Sequence, residues 1–242
     1  MGVELTTFII LSLASFLGSF ITASLGVGGG VFLLLVMVIY LPATVIIPVH
    51  GVIQLASNIG RSALLRNFIE WNFLVVFSVA ALLGAVCAGF VFFTLPAALL
   101  QTLLLLAAVI LTWLPIKKPS RPKTFGIASL GFITSFLSMF IGATGLLVAP
   151  YIRRLFNERQ RIVASHAAAM TVQHFFKILV FGVAGFSFSS YFWLIASMAT
   201  LGFCGTVAGR FLVLEKFTDE RFAFVFKLFI TSLVIIGFAR LF

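Results

Sequence analysis

Two hydrophobic stretches of this chain are broken by glycines in the same way and at one fixed separation: Gly26-Val27-Gly28-Gly29-Gly30 in the first half, Gly142-Ala143-Thr144-Gly145 in the second. A single ungapped shift of 116 positions also lays Ser19 on Ser135, Phe20 on Phe136, Ile46 on Ile162, His50 on His166 and Arg61 on Lys177. The chain reads as a duplication whose two halves fold alike.

Composition decides the solvent of that fold. The chain is 62% hydrophobic and 9% charged, and its mean hydropathy is +1.24. Several apolar runs reach the ~20 residues needed to cross a hydrocarbon core of about 30 Å. A soluble domain is excluded, because too little polar surface would remain to face water. Cys87 and Cys204 lie inside apolar runs and read as small buried hydrophobes, with support neither for a disulfide framework nor for a metal site. The first run lacks a basic n-region and a convincing A-x-A cleavage pattern, so it reads as a mature helix.

The long apolar elements are expected at 5–25, 43–66, 69–93, 96–114, 124–141, 161–184, 188–210 and 221–241, with short ones at 30–41 and 145–156. A short element of this length reaches about 18 Å and cannot cross alone. Each follows its glycine turn, so each half should contain a hairpin that bends partway through the membrane and returns. The expected fold is an all-α integral membrane protein of two inverted repeats, each a glycine-broken hairpin plus three long helices, about eight long transmembrane helices and two short broken ones. The repeats are 1–115 and 124–242, joined by a basic linker at 116–123.

Charge tests this arrangement. Five elements per half is an odd number, so the second half should be inverted relative to the first. The cytoplasmic loops are then 61–70, 115–123, 153–161 and 210–221. They hold Arg66; Lys117, Lys118, Arg121 and Lys123; Arg153, Arg154, Arg159 and Arg161; and Arg210, Lys216 and Arg221. The opposite loops near 41–43, 94–96 and 185–188 hold no Lys or Arg. The positive-inside rule therefore puts both termini outside. The net charge of +10 is mostly this topology signal and calls for no nucleic-acid partner; contact with anionic lipid headgroups is a secondary reading.

A polar stripe follows each broken hairpin. His50, Gln54, Asn58 and Arg61 recur at spacings of four, four and three, and so share a helical face. His166, Gln173, His174 and Lys177 form a similar stripe in the second half. Polar groups are expensive in hydrocarbon, so both faces should point into the bundle or a wet cavity, as ligand contacts or as hydrogen-bonding glue between helices. Lys177, 16 residues into its expected element, is beyond easy snorkelling, whereas Arg61, nearer the cytoplasmic end, reads equally as a snorkelling, positive-inside charge or as a ligand contact. All six acids lie at element ends, so no mid-membrane carboxylate is available to hold a metal cation or relay protons. What remains is suited to anions: glycine turns Gly28, Gly29, Gly30, Gly142 and Gly145, with Thr144, whose amides open short helices, beside histidines and two cations. Neither a catalytic constellation nor a cofactor is expected. Interrupted helices at matching places in two halves are the sequence pattern of a transporter's binding site. A passive anion channel and a membrane enzyme or scaffold are the alternatives.

At these residues the chain resembles the sulfite exporter family of the TauE/SafE type over nearly its whole length: Gly26 to Gly30, the echo at Gly142 to Gly145, the Leu41-Pro42 turn, and small-residue stretches at Ala80 to Gly89 and Gly205 to Gly209. Members usually carry a proline shortly after the first glycine cluster, where this chain has Leu34; the second half keeps one, Pro150. The resemblance implies a transporter, often an exporter, of sulfite, sulfonates or related organosulfur anions in the bacterial inner membrane. An interior-negative potential favours anion export by about 2.3 kcal/mol per charge per 100 mV; uptake would need a coupled proton, with His166 or His174 as the carrier. The Gly205-to-Gly209 spacing fits close packing within one chain or a homodimer.

Overall fold

The computed structural model describes residues 3–25, 28–113, 124–211 and 220–240. Gly26 and Val27 of the first turn, the linker at 116–123 and the loop at 212–219 lie outside the described residues. Among the described residues the regular structure is helical: α1 (Leu5–Leu25), α2 (Gly29–Tyr40), α3 (Ala43–Leu64), α4 (Trp71–Phe92), α5 (Ala97–Trp113), α6 (Thr124–Ile141), α7 (Gly145–Leu155), α8 (Arg159–Val183), α9 (Phe192–Phe211) and α10 (Glu220–Ala239). Short 3₁₀ segments sit at Arg66–Phe68 and Phe188–Tyr191.

Glycine and proline punctuate these helices. Gly28, the N-cap of α2, has φ 102°; Gly142, which ends α6, has φ 73°. Both values lie in the region that glycine enters without a Cβ penalty. Pro42 caps α3 in extended conformation, where its missing N–H costs no helical bond. Six helices, α1, α3, α4, α6, α8 and α9, are long and apolar enough to cross a membrane. α2 and α7, at 12 and 11 residues, are too short, and α5 and the apolar part of α10, Lys227–Ala239, are intermediate.

The spacing of 116 recurs in the element bounds. α2 and α7, and likewise α3 and α8, begin 116 positions apart, and α1 and α6 end 116 apart. After the third helix the offset grows: α4 and α9 begin 121 positions apart. Three of the five added residues lengthen α8, which has 25 residues against 22 in α3, and two fall in the connector to α9.

Packing is reciprocal. α1 lies along α9 while α4 lies along α6, α3 crosses α8, and α4 meets α8 as α9 meets α3. At single-residue level, Gly205 sits on the Phe16 carbonyl and Gly84 on the Phe132 carbonyl; these pairs are repeat counterparts. The small-residue stretches are therefore occupied within the chain, where the lack of side chains lets backbones approach. α3 and α8 are the most buried of the spans, so their polar stripes face protein.

The helix ends sort into two faces. At one, Arg161 is bonded to Glu70 and to Glu158, and the Glu70 amide donates to Ser165 Oγ at 3.1 Å. Arg66, Arg153, Arg154 and Arg159 are exposed at this same end. At the other, Arg240 donates to the Ile39 carbonyl at 2.7 Å and lies over the Tyr40 ring.

Cys87 and Cys204 correct the sequence reading. Both are exposed and unpaired rather than buried. In a bilayer the outward face is as apolar as the core, so an apolar run does not tell a lipid-facing position from an interior one.

Candidate functional site

The two short helices begin close together. Gly28, Gly30 and Val31 at the start of one and Ala143, Gly145 and Leu146 at the start of the other line one cavity of about 50 Å³, on the scale of a few water molecules. α3 contributes His50, Gln54, Asn58 and Arg61 to the wall; α8 contributes His166, Met170 and His174; α1 adds Thr22. Among the described residues, no carboxylate lines that wall.

Each stripe reaches its own half-helix through a histidine. His50 Nε2 donates to the Gly30 carbonyl at 3.0 Å, and His166 Nε2 donates to the Gly145 carbonyl at 3.1 Å. These bonds fix which face of each imidazole is turned inward. The first amides of α2 and α7 have no acceptor inside their own helices and carry the positive end of the helix dipole. Glycine at Gly30 and Gly145 leaves room for close approach: a Cβ there would lie 3.4 Å from Gln54 and from His166 respectively.

Arg61 is the cation of this cavity. It is 8% exposed, and its Nη2 donates to Asn58 Oδ1 at 2.7 Å. Asn58 is held in turn, donating Nδ2 to the Gln54 carbonyl at 2.7 Å. Arg61 Nε, His50 Nδ1 and His174 Nδ1 are buried without a protein partner. The His50 and His174 rings meet edge to face at 6.1 Å. A guanidinium with no carboxylate in reach among the described residues, beside two helix N-termini, is costly in hydrocarbon unless an anion or water completes it.

The other predicted residues sit elsewhere. Lys177 is fully buried, is absent from the cavity wall, and donates Nζ to the Gly142 carbonyl at 3.0 Å. Gln173 Nε2 donates to the Thr134 carbonyl at 2.6 Å and to Thr144 Oγ1 at 2.7 Å. Gly29 faces away from the cavity, against Gly18 of α1. Gly142 and Thr144 form the back of the second turn and also stay out of the wall. Thr22, Val31, Ala143, Leu146 and Met170 are wall residues that the stripes did not single out. Met170 was findable, since the shift of 116 lays it on Gln54.

The profile of the family described as Sulfite exporter TauE/SafE matches residues 11–239. The chain belongs to the TauE/SafE sulfite exporter family. No curated protein and no solved structure is significantly similar to it. Family membership and the apolar helices together make it a multi-pass membrane protein of a transporter family. The Leu34 departure from the family's proline takes a defined form here. Leu34 continues α2 and is buried, whereas Pro150, inside α7, lacks the N–H that would pair with the Leu146 carbonyl.

Proposed function

We propose that this TauE/SafE member carries sulfite, sulfonates or related small organosulfur anions across the membrane, in the direction of export, by alternating access around the cavity between α2 and α7. The observation that carries the reading is the donor set. Arg61, two helix N-termini and the His174 ring line one small space with no carboxylate among the described residues, a combination that stabilises an oxyanion. Export of a monovalent anion runs with an interior-negative potential and needs no coupling ion.

The same proposal includes inverted repeats, 1–115 and 124–242, linked at 116–123, with α5 and α10 counted as spans and both termini outside a bacterial inner membrane. Reciprocal packing of α1 on α9 and α4 on α6 supports the repeat, and the gathering of exposed arginines at one end supports the orientation. The binding test is ligand-dependent thermal stabilisation of purified protein across sulfite, sulfate, thiosulfate, taurine, sulfoacetate and acetate. Stabilisation by a sulfur anion and not by acetate is expected; a flat response to all six refutes the site. The orientation test uses a variant lacking Cys87 and Cys204, with single cysteines at Ser187 or Asn157. A membrane-impermeant thiol reagent should label Ser187→Cys in whole cells and spare Asn157→Cys; the reverse pattern places the termini inside.

A further inference from the structure

Arg61 and Lys177 occupy equivalent positions in the repeat, yet their charged groups end in different places. Building on the anion site proposed above, we infer that Lys177 and Gln173 are positioning residues that clamp the second glycine turn, and that Arg61 alone of the two cations meets the anion.

The clamp is built from both ends of the turn. α6 stops at Ile141, and Gly142 turns the chain at φ 73°. The carbonyls of a helix C-terminus carry partial negative charge, and the Lys177 ammonium donates to the Gly142 carbonyl there. On the way, its methylene stem crosses α3 at Gly51, where a Cβ would lie 3.2 Å from Lys177 Cδ. One side chain thus joins α8, α3 and the end of α6. Gln173, one helical turn earlier, holds the far side through Thr144 Oγ1 and ties it to α6 through the Thr134 carbonyl. Leu34 and Ile47 close the remaining side: a Cβ on Gly142 would meet them at 2.7 Å and 3.3 Å.

The first half spends the same positions differently. Arg61, the counterpart of Lys177, turns into the cavity and bonds Asn58. Ser57, the counterpart of Gln173, bonds Thr206 of α9 at 3.1 Å. A buried ammonium with no carboxylate near it is expensive; holding the carbonyl that ends α6 is the use the structure shows for it. Ala143 and Gly145, which do line the cavity, take their positions from the clamped residues between and before them. Lys177 acts on the anion through this turn.

The test separates a clamp from a ligand. In a chain lacking Cys87 and Cys204, Ala143→Cys is alkylated with iodoacetamide in the absence of any anion, and sulfite affinity is measured separately on the parent background. Lys177→Met and Thr144→Val should each speed alkylation about five- to tenfold, the size expected when one buried hydrogen bond is lost. Lys177→Arg, which keeps a charged donor, should restore the slow rate. A control cysteine at Ser187 should not respond. Arg61→Gln should weaken sulfite binding and leave alkylation unchanged. An unchanged alkylation rate in Lys177→Met overturns the clamp, and together with lost sulfite affinity it makes Lys177 a ligand. Should Lys177→Met fail to fold, Thr144→Val decides, because it leaves every charge in place: an unchanged rate there also overturns the clamp. Wild-type protein that binds no anion refutes the transport reading, and the alkylation rates still decide the clamp.

Discussion

The two glycine turns descend from one pattern and are held in two ways. Around the first, Gln54, Asn58 and Arg61 line the cavity. Around the second, Gln173 and Lys177 turn away from it and bond the turn itself. Both halves keep a histidine on the first turn of their short helix. On the proposed reading, the two halves share a skeleton of half-helices and imidazoles, and a few side chains divide the labour, one half presenting the charge and the other fixing the geometry. A small anion needs only one strong counter-charge, and a second unpaired cation in the same small space would add desolvation cost without a matching contact.

The sharpest way to break this comparison is to fill equivalent glycines. Gly29 and Gly145 are repeat partners that open α2 and α7. At Gly29 a Cβ would run into the Gly18 backbone of α1, which cannot step aside; at Gly145 it would meet His166 at 3.4 Å, an ordinary contact. Gly29→Ala should therefore cost about 3 kcal/mol or more of stability, at or beyond the upper range for overpacking, and should lower the yield of folded protein. Gly145→Ala should fold with a melting temperature near wild type. Equal tolerance at the two sites would mean that the first hairpin is not packed as described.

Much of this was legible from the residues alone, and the reason is periodicity. The short helices expected at 30–41 and 145–156 are found at Gly29–Tyr40 and Gly145–Leu155, because glycine breaks and apolar runs are local signals. The facing of His50, Gln54, Asn58 and Arg61 toward one cavity follows equally from their spacing. The split between Arg61 and Lys177 was not legible. Their alignment makes them equivalent, and what separates them is tertiary: the bare backbone at Gly51 of α3 and the carbonyl of Gly142, in the turn after α6, draw Lys177 aside. The exposure of Cys87 and Cys204 was hidden for a different reason, since lipid and protein core select the same side chains.

Arg61 gives the next largest effect. Its guanidinium is oriented by Asn58 and keeps a buried Nε without a protein partner. Replacing it by Gln keeps a donor and removes the charge, so sulfite affinity should fall about tenfold or more, the range for a charge-assisted hydrogen bond. Asn58→Ala leaves the charge but not its orientation and should cost less. Titration of both variants with sulfite checks the order. A larger loss in Asn58→Ala than in Arg61→Gln would move the main contact from the guanidinium to the amide.

The smallest effect tests whether the α1–α9 seam belongs to the pathway or only to the frame. Ser12 meets Ser197 at 2.9 Å, Ser15 donates to the Met198 carbonyl at 2.6 Å, and Ser24 donates to the Gly209 carbonyl at 3.3 Å. The counterpart seam between α4 and α6 has no hydroxyl at the equivalent point: where Ser15 stands, its repeat partner Gly131 has the Phe77 carbonyl 2.5 Å from the place of a Cβ. Each of the three hydroxyls of the first seam already has a partner inside the protein. Interhelical hydrogen bonds in membranes average about 0.6 kcal/mol, which for a chain of this size is a fall of about 2 °C in melting temperature. Ser15→Ala should show that fall and keep its sulfite flux in proteoliposomes. Lost flux at an unchanged melting temperature would turn the seam from packing into part of the anion's route, and the equivalence of the α1–α9 and α4–α6 pairs as framework would fail with it.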